Sequence, residues 1–291
     1  MKLSILIPAY DFDCTEFVRS LLSQLAAEDE IILGDDCSQN QQARDAYEAI
    51  SRWPQCRVWR APQNIGRARM RNRLAEMATG DWLLFADCDA LVDSPSFVSA
   101  YKQESEGADV VCGGTGNLTT CPSDSVRLRW LYEVKSEKRL SLQFRMVHPY
   151  DCFTTFNFLI RKDVFDSIRF DESCLAYGHE DTAFGTELKL KGIKIRHIEN
   201  KLIHLGLDTN KEFIEKTETA LCSLSQMSEN VRRHARVSNM QLHLHRWGGD
   251  RLVAAIFPLF KGRLYTNLTH SHPSLFLFAC YKIGYYCQIA K

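Results

Sequence analysis

The sequence predicts an α/β protein built on a doubly wound parallel sheet, and three observations carry that prediction. Short apolar runs at residues 3–7, 30–34, 82–86 and 156–160 are almost free of polar side chains, as in strands covered on both faces. Between the early runs, apolar residues recur at helical spacing, giving a β-α-β alternation over roughly the first hundred residues. Three of the early runs then close on polar residues, Pro8-Ala9-Tyr10, Asp35-Asp36 and Asp87-Cys88-Asp89. Ligands collect at that carboxyl edge of an open α/β sheet.

Residues 3–7 form the first strand. Pro8 lacks the N–H that a ladder needs and is expected to end the strand, presenting Tyr10 at the sheet edge. Phe17, Val18, Leu21, Leu22 and Leu25 place one apolar stripe on a helix that crosses back over the sheet. The second strand, 30–34, leads into Asp35-Asp36-Cys37-Ser38. Ala43, Ala46, Tyr47 and Ile50 mark a second helix, and 57–59 a short third strand. The next helix opens within 64–72 and runs through Met77, with Gly80 expected as its left-handed cap. After the strand at 82–86 come a helix around Val98 and Tyr101, a strand at 108–112, and a bend at Gly113, Gly114 and Gly116. The charged stretch 124–150 reads as a mobile loop or an amphipathic helix. A strand at 156–160 turns into a short helix at 161–165. A helix over 182–190 is closed by Gly192, and a last strand spans 193–198.

Of the 291 residues, 45% are hydrophobic and 25% charged, the composition of a folded globular protein able to bury a substantial core. Its 36 acidic and 36 basic side chains cancel, which argues against a nucleic-acid partner. The 11 cysteines include no C-x-x-C pair, so they suit neither a zinc site nor a compact disulfide framework and point to reduced thiols. The apolar run at 3–9 is too short for a signal peptide, and no run has the length of a membrane span. A cytoplasmic location is expected.

Asp87 and Asp89, two apart where a strand ends, can share one ligand, and hard oxygen ligands suit Mg²⁺ or Mn²⁺ bridging to phosphates. A D-x-D alone is as readily a solvated turn, because turns favour Asp. The neighbouring polar strand ends favour a nucleotide pocket. Arg67 and Arg71 share a helix face, and one of them can grip a diphosphate in a guanidinium fork, while Arg69 and Arg73 read as solvated. Glu180 and Asp181 stand at a helix start, where the dipole favours acids. His204 lies in an apolar run, as a core residue or as a metal ligand beside carboxylate.

In this order and spacing, Ile7-Pro8-Ala9-Tyr10, Asp35-Asp36-Cys37-Ser38, Asn64-Ile65-Gly66 with Arg71-Asn72, Asp87-Cys88-Asp89, Asn157-Phe158-Leu159-Ile160-Arg161 and Gly178-His179-Glu180-Asp181 resemble the family 2 glycosyltransferases. The likeness covers about residues 1–206. It implies a GT-A fold: a mixed, mainly parallel, doubly wound sheet flanked by helices. It also implies inverting transfer of a sugar from a nucleotide-diphosphate sugar, taken as a UDP-sugar, to a hydroxyl of a glycan or lipid-linked acceptor, as in cell-surface polysaccharide synthesis. By that resemblance Pro8, Tyr10 and Asp36 meet the base, and Asn64, Gly66 and Arg71 line the nucleotide and diphosphate. Asp87 sits near the ribose, and Asp89 with His204 binds Mn²⁺ or Mg²⁺. Asn157 and His179 belong to the acceptor side, Asp181 is the general base, and Glu180 beside it holds the acceptor. Cys37 stands where glycine is common, and Ala90 where an acidic or polar residue is. A sugar-phosphate nucleotidyltransferase would want a Gly-rich phosphate loop where Tyr10-Asp11-Phe12-Asp13 stands, and a non-catalytic sugar-nucleotide binding protein would not need both Asp89 and Asp181.

The catalytic domain is expected over 1–206, its nucleotide-binding half ending near 115 and its acceptor half spanning 116–206, with 207–291 as a helical extension. Phe213, Ile214, Thr217, Ala220, Leu221 and Leu224 have helical spacing there. Arg246, Arg251, Lys261 and Arg263 stand around the apolar stretch 252–260, and 275–286 is aromatic and apolar. Such a mixture over 250–291 suits a helix lying in a lipid interface, at the inner face of the cytoplasmic membrane. It equally suits a helix packed on the enzyme or on the second copy of a homodimer.

Overall fold

The computed structural model describes residues 1–172 and 180–290, which fall into two compact units. The first comprises 1–116, 140–172 and 187–206, and the second 117–139, 180–186 and 207–290. In chain order the elements are β1 (Leu3–Ala9), α1 (Thr15–Leu22), β2 (Glu30–Asp35), α2 (Gln41–Ile50), β3 (Cys56–Arg60), α3 (Arg67–Met77), β4 (Trp82–Ala86), β5 (Ala90–Val92), α4 (Phe97–Glu104), β6 (Val110–Cys112), β7 (Thr115–Asn117), α5 (Arg127–Arg139), α6 (Leu142–Val147), β8 (Asn157–Arg161), α7 (Lys162–Ile168), α8 (Glu180–Leu190), β9 (Ile195–His197) and β10 (Leu202–His204). Then follow α9 (Asn210–Gln226), α10 (Glu229–His234), α11 (Arg236–His245), α12 (Gly249–Thr269) and α13 (Leu275–Ile289).

The first unit is built on a seven-stranded sheet in the order β3-β2-β1-β4-β8-β6-β9. β1 pairs parallel with β2 and β4, β2 with β3, and β6 with β9, whereas β8 runs antiparallel to both neighbours. The sheet is therefore mixed and mainly parallel. Its inner strands β1, β2, β4, β6 and β8 are buried on both faces, as their apolar runs require, while β3 and β9 are only partly buried. Leu3, Ile5, Ile7, Ile31, Leu33 and Leu84 join one core with α1, α2 and α4. Phe85, Phe158, Phe165 and Phe170 cluster elsewhere in the unit, Phe85 and Phe158 stacked with centroids 4.9 Å apart and the other rings tilted or edge-on. The chain winds from β1 out to β3 and then returns to place β4 on the other side of β1. The carboxyl ends of β1, β2 and β4 thus meet at a topological switch point.

Several local expectations change. Pro8 does not end β1: the ladder to β4 stops at Leu6, while that to β2 runs on through Pro8 to Ala9. Gly80 is not a left-handed cap, because α3 ends at Ala78 in extended backbone. Gly80 is needed for room instead, since a Cβ there would lie 2.7 Å from the Ser4 backbone nitrogen. The strand expected over 108–112 begins at Val110. The stretch 124–150 contains a short 3-10 turn, α5 and α6. A small second sheet, β5-β10-β7, has no counterpart among the expected strands.

The second unit is helical. Leu128, Phe213, Ile214, Phe257, Leu268, Phe278 and Tyr281 form its main core, with a smaller one around Leu221, Leu224 and Tyr286. A capping box between Thr209 and Glu212 starts α9. Asn210 fastens it by accepting from the Leu128 amide at 2.8 Å and donating to the Asp124 and His270 carbonyls.

Candidate active site

Three strand ends are knotted together by carboxylates. Asp36 takes the Ile65 amide at 2.7 Å on one oxygen and the Gly66 amide at 3.0 Å on the other, while its own amide donates to the Ala9 carbonyl. The Asn64 side chain returns a bond to the Asp36 carbonyl. Asp11 Oδ1 accepts from the amides of Gln39 and Asn40, and Ser38 Oγ accepts from the Asp11 amide. These bonds fix the turn after β1 against the turn after β2 and leave Tyr10 exposed on the rim with Pro8 behind it. Asp11, first among nearby acids, raises the Tyr10 hydroxyl above its ordinary range, so the ring is neutral.

The arginines of α3 are sorted by its rotation on the sheet. Arg71 is 1% exposed, and its Nη2 donates to Asp87 Oδ1 at 2.7 Å, with the guanidinium over the Phe170 ring. Its Nε and Nη1 are buried without a hydrogen-bond partner among the described residues. Arg67 is exposed in the first turn of α3, after Gly66 in left-handed backbone. Arg69 and Arg73 are also exposed, as expected.

Asp89 and His204 meet because of β5. Directly after the acidic turn, residues 90–92 pair antiparallel with β10 so that Ala90 lies opposite His204, and the Leu205 amide donates to the Asp89 carbonyl. That register brings His204 Nε2 to 3.2 Å from Asp89 Oδ2, with the imidazole edge-on to Phe156. Burial disfavours charge on Asp89, but the His204 bond and the nearby Arg67 more than offset it and hold the carboxyl below its usual range. Gly206 completes the arrangement, since a Cβ there would stand 2.0 Å from Asp89 Oδ2. No group of three or more His, Cys, Asp or Glu placed to hold a metal ion occurs among the described residues. The donor set is still chemically apt: a hard oxygen and an imidazole nitrogen suit Mn²⁺ or Mg²⁺, which take their remaining ligands from phosphate and water. Imidazole binds a metal through a deprotonated nitrogen, so a cation would displace the proton now shared by the pair.

Asn157 lies elsewhere in the scaffold. Fully buried in β8, it donates to the Gly114 and Asn200 carbonyls and accepts from the Tyr101 hydroxyl. Both of its amide hydrogens are used inside the protein. Glu180 and Asp181 stand half-buried in the first turn of α8, in the second unit. His179 lies outside the described residues. Sequence reasoning passed over Gly206 and the Asp11 turn; a glycine two residues past a candidate ligand was the available signal.

A sheet of this topology with acidic groups at its switch point defines a GT-A type nucleotide-sugar fold. Residues 4–169 match the profile of glycosyl transferase family 2, more than half of the chain, and the protein belongs to that family. It is 27% identical over 124 residues to an N-acetylglucosaminyltransferase of Rhizobium leguminosarum bv. phaseoli, covering 40% of this chain and 28% of that protein. An uncharacterized glycosyltransferase of Haemophilus influenzae is 37% identical over 89 residues, 30% of this chain and 29% of that one. The chain thus spans under a third of the curated relatives it matches. Among solved structures, S. aureus TarS 1-349 in complex with UDP-GlcNAc aligns at a TM-score of 0.54 and 16% identity, over 100% of this chain and 90% of that one. The mannosyltransferase PcManGT from Pyrobaculum calidifontis, in complex with GDP-Man and Mn²⁺, aligns at 0.61 and 13% identity, over 99% and 85%.

Proposed function

We propose that the protein is an inverting, divalent-metal-dependent glycosyltransferase that moves a hexosyl or N-acetylhexosaminyl group from a UDP-sugar to a hydroxyl of a glycan or lipid-linked acceptor. The observation that carries this reading is the contact of Asp89 with His204 at the switch point of the sheet. Family membership supports the reaction class. The UDP and UDP-GlcNAc complexes of TarS and the GDP-Man complex of PcManGT support a nucleotide-sugar donor, and the name of the Rhizobium relative makes N-acetylglucosamine the first sugar to test.

On this reading the exposed Tyr10 ring stacks on the base, and Asp36 accepts the base N–H with the lone pairs its two backbone bonds leave free. Asn64 and Gly66 line the nucleotide, Asp87 binds the ribose, and Arg71 positions Asp87 from below. Exposed Arg67 meets the diphosphate. Asp89 and His204 hold Mn²⁺ or Mg²⁺, whose charge offsets that of the departing diphosphate. Asp181 takes the proton of the acceptor hydroxyl as its oxygen attacks the anomeric carbon, and Glu180 orients the acceptor. One carbon–oxygen bond forms as the bond to the diphosphate breaks, so a single displacement inverts the centre and releases the nucleoside diphosphate.

A thermal-shift screen of UDP- and GDP-sugars with Mn²⁺ tests the donor. Stabilisation by a UDP-sugar is expected, and no response to any of them would remove the donor reading. Asp181→Asn is expected to abolish transfer while keeping UDP binding, and turnover near that of the parent would remove the base assignment.

A further inference from the structure

The second unit carries an apolar surface that its own core does not use. We propose that the outer face of α12, with Trp247 at its start, docks on an anionic lipid bilayer. Most of the aromatic C-terminal helix is turned inward, because Phe278, Tyr281 and Tyr286 of α13 are buried in the cores of the unit, which leaves Phe276 exposed on it. On α12, Phe257 and Leu268 join the same packing. Leu252, Ile256 and Leu259, spaced four and three apart, share the opposite side. Leu252 is 61% and Leu259 75% exposed, Ile256 and Phe260 are exposed beside them, and Trp247 just before the helix is 89% exposed. Single exposed apolar side chains are ordinary on a protein surface; a row of them along one helix face marks an interaction site.

Charge selects the occupant. Arg263 extends the row by one more turn, and Arg246 and Arg251 flank its start; all three are exposed, and none pairs with a carboxylate among the described residues. The one acid of this stretch, Asp250, is buried and held by His245 at 2.7 Å. A second copy of the chain packed symmetrically on this face would set the arginines against their own copies. Anionic headgroups over acyl chains match both features: cations meet phosphate, and leucine, phenylalanine and tryptophan enter the interface. No helix among the described residues is long and apolar enough to cross a membrane. This inference is independent of the sugar-transfer reading, and its test does not use activity.

The full chain is mixed with vesicles of phosphatidylcholine alone or of phosphatidylcholine with phosphatidylglycerol, and the bound fraction is read by cosedimentation. Binding is expected only to the anionic vesicles and weakens with salt. Leu259→Glu abolishes it, and Arg251→Gln and Arg263→Gln each weaken it about fivefold. Val147→Glu, at an exposed apolar residue of α6, leaves it unchanged and controls for nonspecific adhesion. Leu259 and Val147 lie outside the cores, so unchanged thermal unfolding of both variants verifies the fold. The proposal is overturned if Leu259→Glu sediments like the parent, if neutral vesicles bind equally well, or if the face instead holds a dimer that Leu259→Glu dissociates.

Discussion

His204 Nε2 lies 3.2 Å from Asp89 Oδ2, although 115 residues separate the two along the chain. Backbone brings the two together, since Ala90 pairs opposite His204 and the Leu205 amide donates to the Asp89 carbonyl. On the proposed reading, a pair held this way would be pre-organised for a cation. Asp89→Ala is expected to abolish the Mn²⁺-dependent part of UDP binding, and His204→Ala to weaken it at least about tenfold. Calorimetric titration of UDP with and without Mn²⁺ checks this, and metal-independent binding in the parent would refute it.

Gly206 sets the space around that pair. A Cβ would overlap Asp89 Oδ2, and the carboxylate would have to turn away from His204. Gly206→Ala should therefore mimic Asp89→Ala in Mn²⁺-dependent UDP binding while costing about 1–3 kcal/mol of stability from overpacking. Unaltered binding in a folded Gly206→Ala variant would show that the carboxylate position is not critical.

Asp87 and Asp89, two residues apart, should differ in what they do for the fold. Among the described residues, Asp87 accepts the one hydrogen bond of the buried Arg71 guanidinium, whose other nitrogens have no partner there. Removing one partner of a buried pair leaves an uncompensated charge, and because Asp87 is itself partly exposed the low end of that cost applies. Asp87→Ala is expected to lower stability by about 2–3 kcal/mol in denaturant unfolding. A midpoint equal to that of the parent would mean that the pair contributes nothing.

Cys37 departs from the glycine common in the family, and its backbone is left-handed, with φ of 64°. That conformation costs an L-residue about 1–2 kcal/mol, against about 0.5–1 kcal/mol of extra chain entropy that glycine loses on folding. Cys37→Gly should then stabilise the protein by roughly 0.5 kcal/mol. Destabilisation would show that the thiol's contacts matter more than the strain.

What was legible in the chain was local. The run Trp82–Ala86 ending in Asp87 and Asp89 carries its burial and its polarity in adjacent residues, so strand and candidate site could be read together. β5 could not, because three residues, Ala-Leu-Val, make a strand only when β10 pairs with them. The direction of β8 is likewise set by its neighbours, since an apolar run reads the same either way. Arg67 and Arg71 share a helix face by spacing, yet only the docking of α3 decides that one is exposed and the other sealed under Phe170. The surroundings of Asn157 are likewise set by distant residues, since the carbonyls that consume its amide come from residues 114 and 200.

His197 gives the first unit a dependence on pH. Burial in β9, aided by the adjacent Arg145 guanidinium, lowers the imidazole to about 4, although its Nε2 bond with the Pro149 carbonyl works the other way. In the unfolded chain an ordinary imidazole titrates near 6.5. Between those values the unfolded form binds a proton that the folded form refuses, so stability rises with pH across the window. The contribution is complete above about pH 6.5 and falls as pH drops, and the loss amounts to about 3 kcal/mol by pH 4. His197→Gln keeps an N–H for the Pro149 carbonyl and removes the titration. Denaturant unfolding at stepped pH should show parent stability falling more steeply than that of the variant over this window, and parallel curves would show that His197 is already protonated in the folded protein.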